Sequence, residues 1–175
     1  MTIYRILCAD FRVSGWKLWK KIFLRYGDFA VFLFRLSSES YKKGFVGRII
    51  GNILFRLNIF LTGCEISPAA KIGLGLNIVH PIGIVIAPAV IGDNFTIYQN
   101  VTIGQRKHGV KVSKWATIGD DVVAYAGAVI IGDITIGDRA SIGANTVIAA
   151  DIPAGCTVVP APVKIVAPKP EAIAS

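Results

Sequence analysis

From Ile66 onward an aliphatic residue returns every six positions, and very few folds can use such a step. The first run is Ile66, Ile72, Ile78 and Ile84, then after one extra residue Ile91, Ile97 and Ile103; the second is Ile118, Ala124, Ile130, Ile136, Ile142 and Ile148. Glycine commonly follows, as in Ile72-Gly73, Ile91-Gly92, Ile118-Gly119 and Ile136-Gly137. Neither the 3.6 period of a helix nor the alternation of a strand yields a strict six. A fixed short period marks a solenoid. One inward aliphatic residue per unit gives a short flat strand and a turn. Three units close a triangular coil, and stacked coils pair backbone groups up the stack while Ile piles on Ile inside. Each buried aliphatic side chain contributes roughly 1.5–3 kcal/mol, enough for a dozen of them to drive the fold. A β-sandwich rich in Ile and Gly is the ordinary alternative, but nothing in a sandwich keeps thirteen positions in step. A mainly β chain with a parallel β-helix over 63–166 is expected, preceded by a helical segment over 1–62 and followed by a tail over 167–175.

Charge divides the chain at the same place. The 175 residues carry a formal charge of +8, yet from Gly63 onward eight Lys and Arg face eight Asp and Glu; before it there are eleven against three. Thirteen of the seventeen Phe, Trp and Tyr also precede Gly63. With 53% hydrophobic and 17% charged residues, disorder is excluded and some apolar surface must be hidden or shared. A nucleic-acid binder would use the basic segment, but its apolar, aromatic character favours contact with lipid or protein. Cys8, Cys64 and Cys156 are odd in number and widely spaced, so no disulfide framework or zinc knuckle is implied. Arg5, Asp10 and Arg12 interrupt any secretory apolar core, which places the expected chemistry in the cytoplasm.

Four stretches carry a resemblance: Glu65-Ile-Ser-Pro-Ala-Ala-Lys-Ile-Gly73, Ile78-Val-His-Pro-Ile-Gly-Ile-Val-Ile86, Tyr98-Gln-Asn-Val-Thr-Ile-Gly104 and Ile142-Gly-Ala-Asn-Thr-Val147. Over about 63–170 the chain resembles the left-handed β-helix hexapeptide-repeat acyltransferases, in their serine acetyltransferase-like branch. The resemblance implies left-handed coils, acetyl-CoA as donor with no metal, and homotrimers with active sites between neighbouring subunits; whether trimers pair into a dimer of trimers stays open.

Acyl transfer from a thioester to an alcohol needs a base for the hydroxyl proton, a donor for the developing oxyanion and a groove for the acyl carrier. His80 is the candidate base, since imidazole takes and returns a proton near neutral pH and His80 matches the family's catalytic histidine. Glu65 stands where the family keeps an Asp and would orient the imidazole, with one methylene more of reach. Ala126 and Ala144 fall in successive coils at positions matching the family's coenzyme A groove, with Gly104 and the terminal Lys164 as further donor contacts. Ile103 to Ile118 is not a multiple of six, so a loop over 104–117 must leave the coil. That basic loop matches the family's acceptor side, and Asn100, Arg106 and His108 are its acceptor-binding candidates.

Serine acetyltransferases place an Asp before the catalytic His and an Arg-His pair in the loop; here Val79 and Lys114-Trp115 stand there. A free amino acid needs partners for both its charges. The expected acceptor is therefore a saccharide hydroxyl in capsule, exopolysaccharide or O-antigen assembly, with serine as the alternative. The shortened helical segment and the ending Glu171-Ala-Ile-Ala-Ser175 point the same way. Such saccharides are built at the inner membrane face, and Trp16-Lys-Leu-Trp-Lys-Lys-Ile-Phe-Leu24 mixes indoles and cations suited to an interface. Phe45–Leu61, carrying Arg48, Asn52, Arg56 and Asn58, reads as a poor membrane span. A trimerising or coil-capping helical pair is the other reading of this segment. Metal-dependent hydration on the same coil, as in γ-type carbonic anhydrases, would need three His ligands, and the chain has two, His80 and His108.

Overall fold

The computed structural model describes residues 2–162 apart from 106, 109–110 and 113–114, with only the backbone described for 107–108 and 111–112. Short parallel strands form three faces of a coil. The first face stacks β1 (Glu65–Ile66), β4 (Val85–Ile86), β7 (Thr102–Gly104), β12 (Val129–Ile131) and β15 (Val147–Ile148). The second stacks β2 (Lys71–Ile72), β5 (Val90–Ile91), β10 (Thr117–Ile118) and β13 (Thr135–Ile136). The third stacks β3 (Asn77–Ile78), β6 (Thr96–Ile97), β11 (Val123–Ala124), β14 (Ser141–Ile142) and β16 (Thr157–Val158). In almost every strand the second residue points inward, so Ile66, Ile86, Ile103, Ile130 and Ile148 pile up along one edge of the core. A hairpin of β8 (Lys107–His108) and β9 (Lys111–Val112) lies within the predicted loop.

Three of the glycines that follow an inward isoleucine share one reason. Asp93 Oδ1 accepts the Leu74 N–H at 2.7 Å, Asp120 Oδ1 accepts that of Asp93 at 2.7 Å, and Asp138 Oδ1 accepts that of Asp120 at 2.9 Å. A Cβ on Gly73, Gly92 or Gly119 would collide with the carboxylate oxygen reaching down from the next coil. The Ile-Gly-Asp triplets at 91–93, 118–120 and 136–138 thus write a hydrogen-bonded ladder along one corner, each carboxylate capping a backbone donor below it.

The six-residue step breaks at a different place from the one the periodicity suggests. Ile86, not Ile84, stands in register with Ile66 and Ile103. The corner from Ile78 to Ile86 therefore spans eight residues where Ile97 to Ile103 spans six, and the passage from Ile86 to Ile91 is one residue short. Two additional residues push the corner outward. A turn closes it, with the Ile84 N–H on the Pro81 carbonyl at 3.4 Å and Gly83 in the left-handed region at φ 72°. This corner carries His80.

Four helices precede the coil: α1 (Ile3–Phe11), α2 (Gly15–Leu24), α3 (Tyr26–Tyr41) and α4 (Gly44–Thr62). The first turn of α3 sits directly on β3, where a Cβ on Gly27 would collide with the Ile78 carbonyl. A buried ion pair fixes the rest. Arg35 donates to both Asp10 carboxylate oxygens at 2.8 and 2.9 Å and to the Ile72 and Gly73 carbonyls, while Asp10 Oδ1 accepts the Gly75 N–H at 2.8 Å. α4 lies along α3 through small and uncharged polar residues. Gly47 allows close approach to the Ser40 carbonyl, Ser37 Oγ donates to the Gly51 carbonyl at 2.8 Å, and Asn58 Nδ2 donates to the Ala30 carbonyl at 3.2 Å. Gly63, at φ 69°, caps α4 with its N–H on the Ile59 carbonyl and turns the chain into β1.

Candidate active site

His80 is exposed on the outward-displaced corner between the third and first faces. It stands between two clefts. One, of about 670 Å³, separates the corner from the helices and is lined by His80, Pro81 and Ile82 on one side and by Arg25, Tyr26 and Leu61 on the other. The second, of about 380 Å³, is bounded by His80, Ile82, Gln99 and Asn100. Asn100 is held there by its left-handed backbone at φ 59° and by its N–H on the Ile82 carbonyl at 3.1 Å, and its Oδ1 lies where a Cβ on Gly83 would fall. Gln99 Oε1 is buried with no hydrogen-bond partner among the described residues.

Glu65 is exposed on β1, one rung below Val85. Among the described residues no hydrogen bond or ion pair joins its carboxylate to His80. Beside it, Cys64 is fully buried, and burial pushes its thiol up to about 12, which leaves it without thiolate character at neutral pH. Burial also raises the Asp28 carboxyl from its ordinary value, an effect that Arg25 and Lys21 partly offset. Arg25 Nε is 3.8 Å from Asp28 Oδ2, too far for a hydrogen bond, and that oxygen is otherwise unpartnered among the described residues.

The corner above His80 narrows to small residues. The Asn145 N–H donates to the Ala126 carbonyl at 2.9 Å, with β11 and β14 in register just before, so Ala126 and Ala144 lie on adjacent rungs. The rings of Tyr98 and Tyr125 meet beside them at 5.3 Å between centres, tilted by 31°. Gly104 ends β7 with its carbonyl accepting the Gly132 N–H at 3.1 Å, and a Cβ there would meet only the Thr102 methyl, at 3.9 Å. Arg106, the His108 side chain and Lys164 lie outside the described residues. His80, Asn100, Ala126 and Ala144 thus share one edge of the coil, and Gly104 ends a strand of the face beside it. Sequence reasoning missed the helical wall of the larger cleft: Arg25, Tyr26 and Leu61. The available signal was Gly27, a glycine in the first turn of a helix otherwise rich in large residues, which marks a close backbone approach. Among the described residues no group of three His, Cys, Asp or Glu is placed to hold a metal ion.

Residues 116–150 match the family described as bacterial transferase hexapeptide (six repeats). The chain is 41% identical over 149 residues to a serine acetyltransferase of Helicobacter pylori, covering 85% of each, and 35% identical over 172 residues to that of Synechococcus elongatus, covering 94% of this chain and 69% of the relative. Among solved structures it superposes on serine acetyltransferase of Neisseria gonorrhoeae with TM-score 0.79 at 31% identity, covering 94% of this chain, and on the soybean enzyme complexed with serine with TM-score 0.78 at 31% identity. The chain spans 65% of the gonococcal chain and 69% of the soybean one. These matches identify the coil as a left-handed β-helix. They also overturn the expected saccharide acceptor and the polysaccharide-assembly branch. Relatives matching across most of the chain are serine acetyltransferases, and Val79 and Lys114-Trp115 are local departures within that match. The chain belongs to the serine acetyltransferase family of hexapeptide-repeat acyltransferases.

Proposed function

We propose that this protein transfers acetyl from acetyl-CoA to the hydroxyl of serine, with the 41% identity to a serine acetyltransferase over 85% of both chains as the observation that carries the reading. His80 removes the hydroxyl proton as the serine oxygen attacks the thioester carbonyl carbon. The oxyanion collapses, the C–S bond breaks, and the imidazolium returns its proton to the departing thiolate. Glu65 stabilises that imidazolium as a positioning residue. The donor's arm runs down the edge from Ala144 and Ala126 towards His80, three rungs or about 14 Å at the spacing of paired strands. Arg25, in the cleft beside His80, supplies a cation for the acceptor carboxylate. Arg106, His108 and Lys164 belong to the same reading as contacts for acceptor and phosphate. The protein works as a homotrimer, in which a neighbouring coil covers the exposed His80 corner and excludes water from it.

The test is release of coenzyme A thiol from acetyl-CoA with serine and, separately, with sugar acceptors. Serine-dependent release that saturates with serine is expected. Release that ignores serine but follows another hydroxyl compound would overturn the acceptor. Arg25→Gln should raise KM for serine with little change in kcat, since a carboxylate anchor contributes to ground state and transition state alike.

A further inference from the structure

α4 is built inside out. Its buried residues are Gly47, Gly51, Asn58 and Thr62, whereas Phe45, Ile53 and Phe60 are 81%, 60% and 84% exposed. At 3.6 residues per turn, Ile49, Ile53, Leu57 and Phe60 share the face opposite the packed one, and Arg48, Asn52 and Arg56 run alongside it at i, i+4 and i+8. The helix is long and apolar enough to cross a membrane by length and composition. It is nevertheless held flat along α3 by Gly47, Gly51 and Asn58, and α3 is itself pinned to the coil by Arg35. α2 shows the same habit, with Trp16, Phe23 and Leu24 at 80%, 67% and 70% exposure among Lys17, Lys20 and Lys21. Both helices pack on α3, whose exposed first residue, Tyr26, lines one cleft with Leu61 of α4 and another with Phe23 and Leu24 of α2.

We propose that α2 and α4 form a docking face for an anionic lipid membrane, lying in the interface with their aromatic and aliphatic side chains among the headgroups and upper acyl chains. Charge decides the occupant. Of the three acidic residues in the helical segment, Asp10 and Asp28 are buried and Glu39 is paired with Lys42, so the surface charge around the apolar face is almost wholly positive. A second copy presenting the same face would bring like charge against like, whereas anionic headgroups neutralise it, and Lys and Arg can extend to them while the apolar stems stay buried. The inference is independent of which hydroxyl the enzyme acetylates.

Cosedimentation of the full chain with vesicles tests it, using phosphatidylcholine alone and phosphatidylcholine mixed with phosphatidylglycerol. Binding to the mixed vesicles is expected to be about tenfold or more the stronger at low salt and to weaken as salt is raised. Lys17→Gln with Lys20→Gln should reduce binding to the mixed vesicles. Phe45→Ser with Phe60→Ser should abolish binding while leaving the melting curve and the thiol-release rate unchanged. Indifference of the unmodified chain to both vesicle types would overturn the proposal. So would sedimentation showing that Phe45→Ser with Phe60→Ser splits the assembly, because a second copy would then occupy the face.

Discussion

In the coil, the inward positions hold Ile66, Ile86, Ile103, Ile130 and Ile148 and the positions before them hold Glu, Val and Thr; in α4, the inward positions hold two glycines, an asparagine and a threonine, and the outward ones hold Phe, Ile and Leu. The coil is stabilised by apolar surface taken out of water, the usual arrangement for an independently stable unit. The helical segment is attached differently. Leu7, Phe11, Val31 and Phe34 belong to one apolar cluster with Ile66 and Ile78, and a buried ion pair and a glycine seated on a strand add to that joint, while much of the remaining apolar surface of the segment stays outside. The first region therefore serves the chemistry by rigidity, and the second presents a surface while walling one side of the cleft beside His80.

The largest effect should come from the joint between the two. Asp10→Ala leaves the Arg35 guanidinium buried without its carboxylate and should cost about 3–5 kcal/mol. Denaturant unfolding should then split into two transitions, with the helical segment cleaved first under limited proteolysis. Ile130→Ala opens a cavity at the centre of the coil and should cost about 3 kcal/mol, read in a single cooperative unfolding transition. Asp120→Ala removes one rung of the carboxylate ladder, leaves the Asp93 N–H without its acceptor and should cost about 1–2 kcal/mol. Asp28→Asn should stabilise the protein. Because burial raises the Asp28 carboxyl, the folded state binds a proton more readily than the unfolded one, so its contribution is greatest below the ordinary value of 3.8 and is lost as pH rises through the raised value. The variant should melt a few degrees above the parent at neutral pH, with the gap closing towards pH 3.8. Phe60→Ser should be smallest, within about 0.5 kcal/mol, since the side chain is already in solvent. A cost like that of Ile130→Ala would mean that the outer face of α4 is packed after all.

The coil was legible because its period is local: each Ile reports its own rung. The break at the His80 corner was not, because Ile84 keeps the six-residue step and is itself fully buried, so only the pairing of Glu65 with Val85 exposes the displaced register. His80 and Asn100 were legible from their motifs, and the structure brings them to one cleft. Arg25 and Tyr26 were not, since they reach His80 across the packing of α3 on β3, which no spacing along the chain records. The Asp10–Arg35 pair escaped notice for the same reason. Two opposite charges 25 residues apart in a basic segment look like two more surface charges until the fold buries both. Burial takes Asp10, Asp28 and Arg35 out of the count and leaves ten cations with Glu39, so the positive charge of the segment is carried almost entirely by its surface.

On the proposed function the chemistry belongs to the displaced corner of the coil, where His80 performs the proton transfer. Steady-state thiol release from acetyl-CoA with serine, measured for the parent and for His80→Ala at matched folding by circular dichroism, tests it most directly. A fall in kcat of about 10²–10⁴ with the melting curve unchanged is expected, and a parent-like rate in His80→Ala would contradict the assignment of the base.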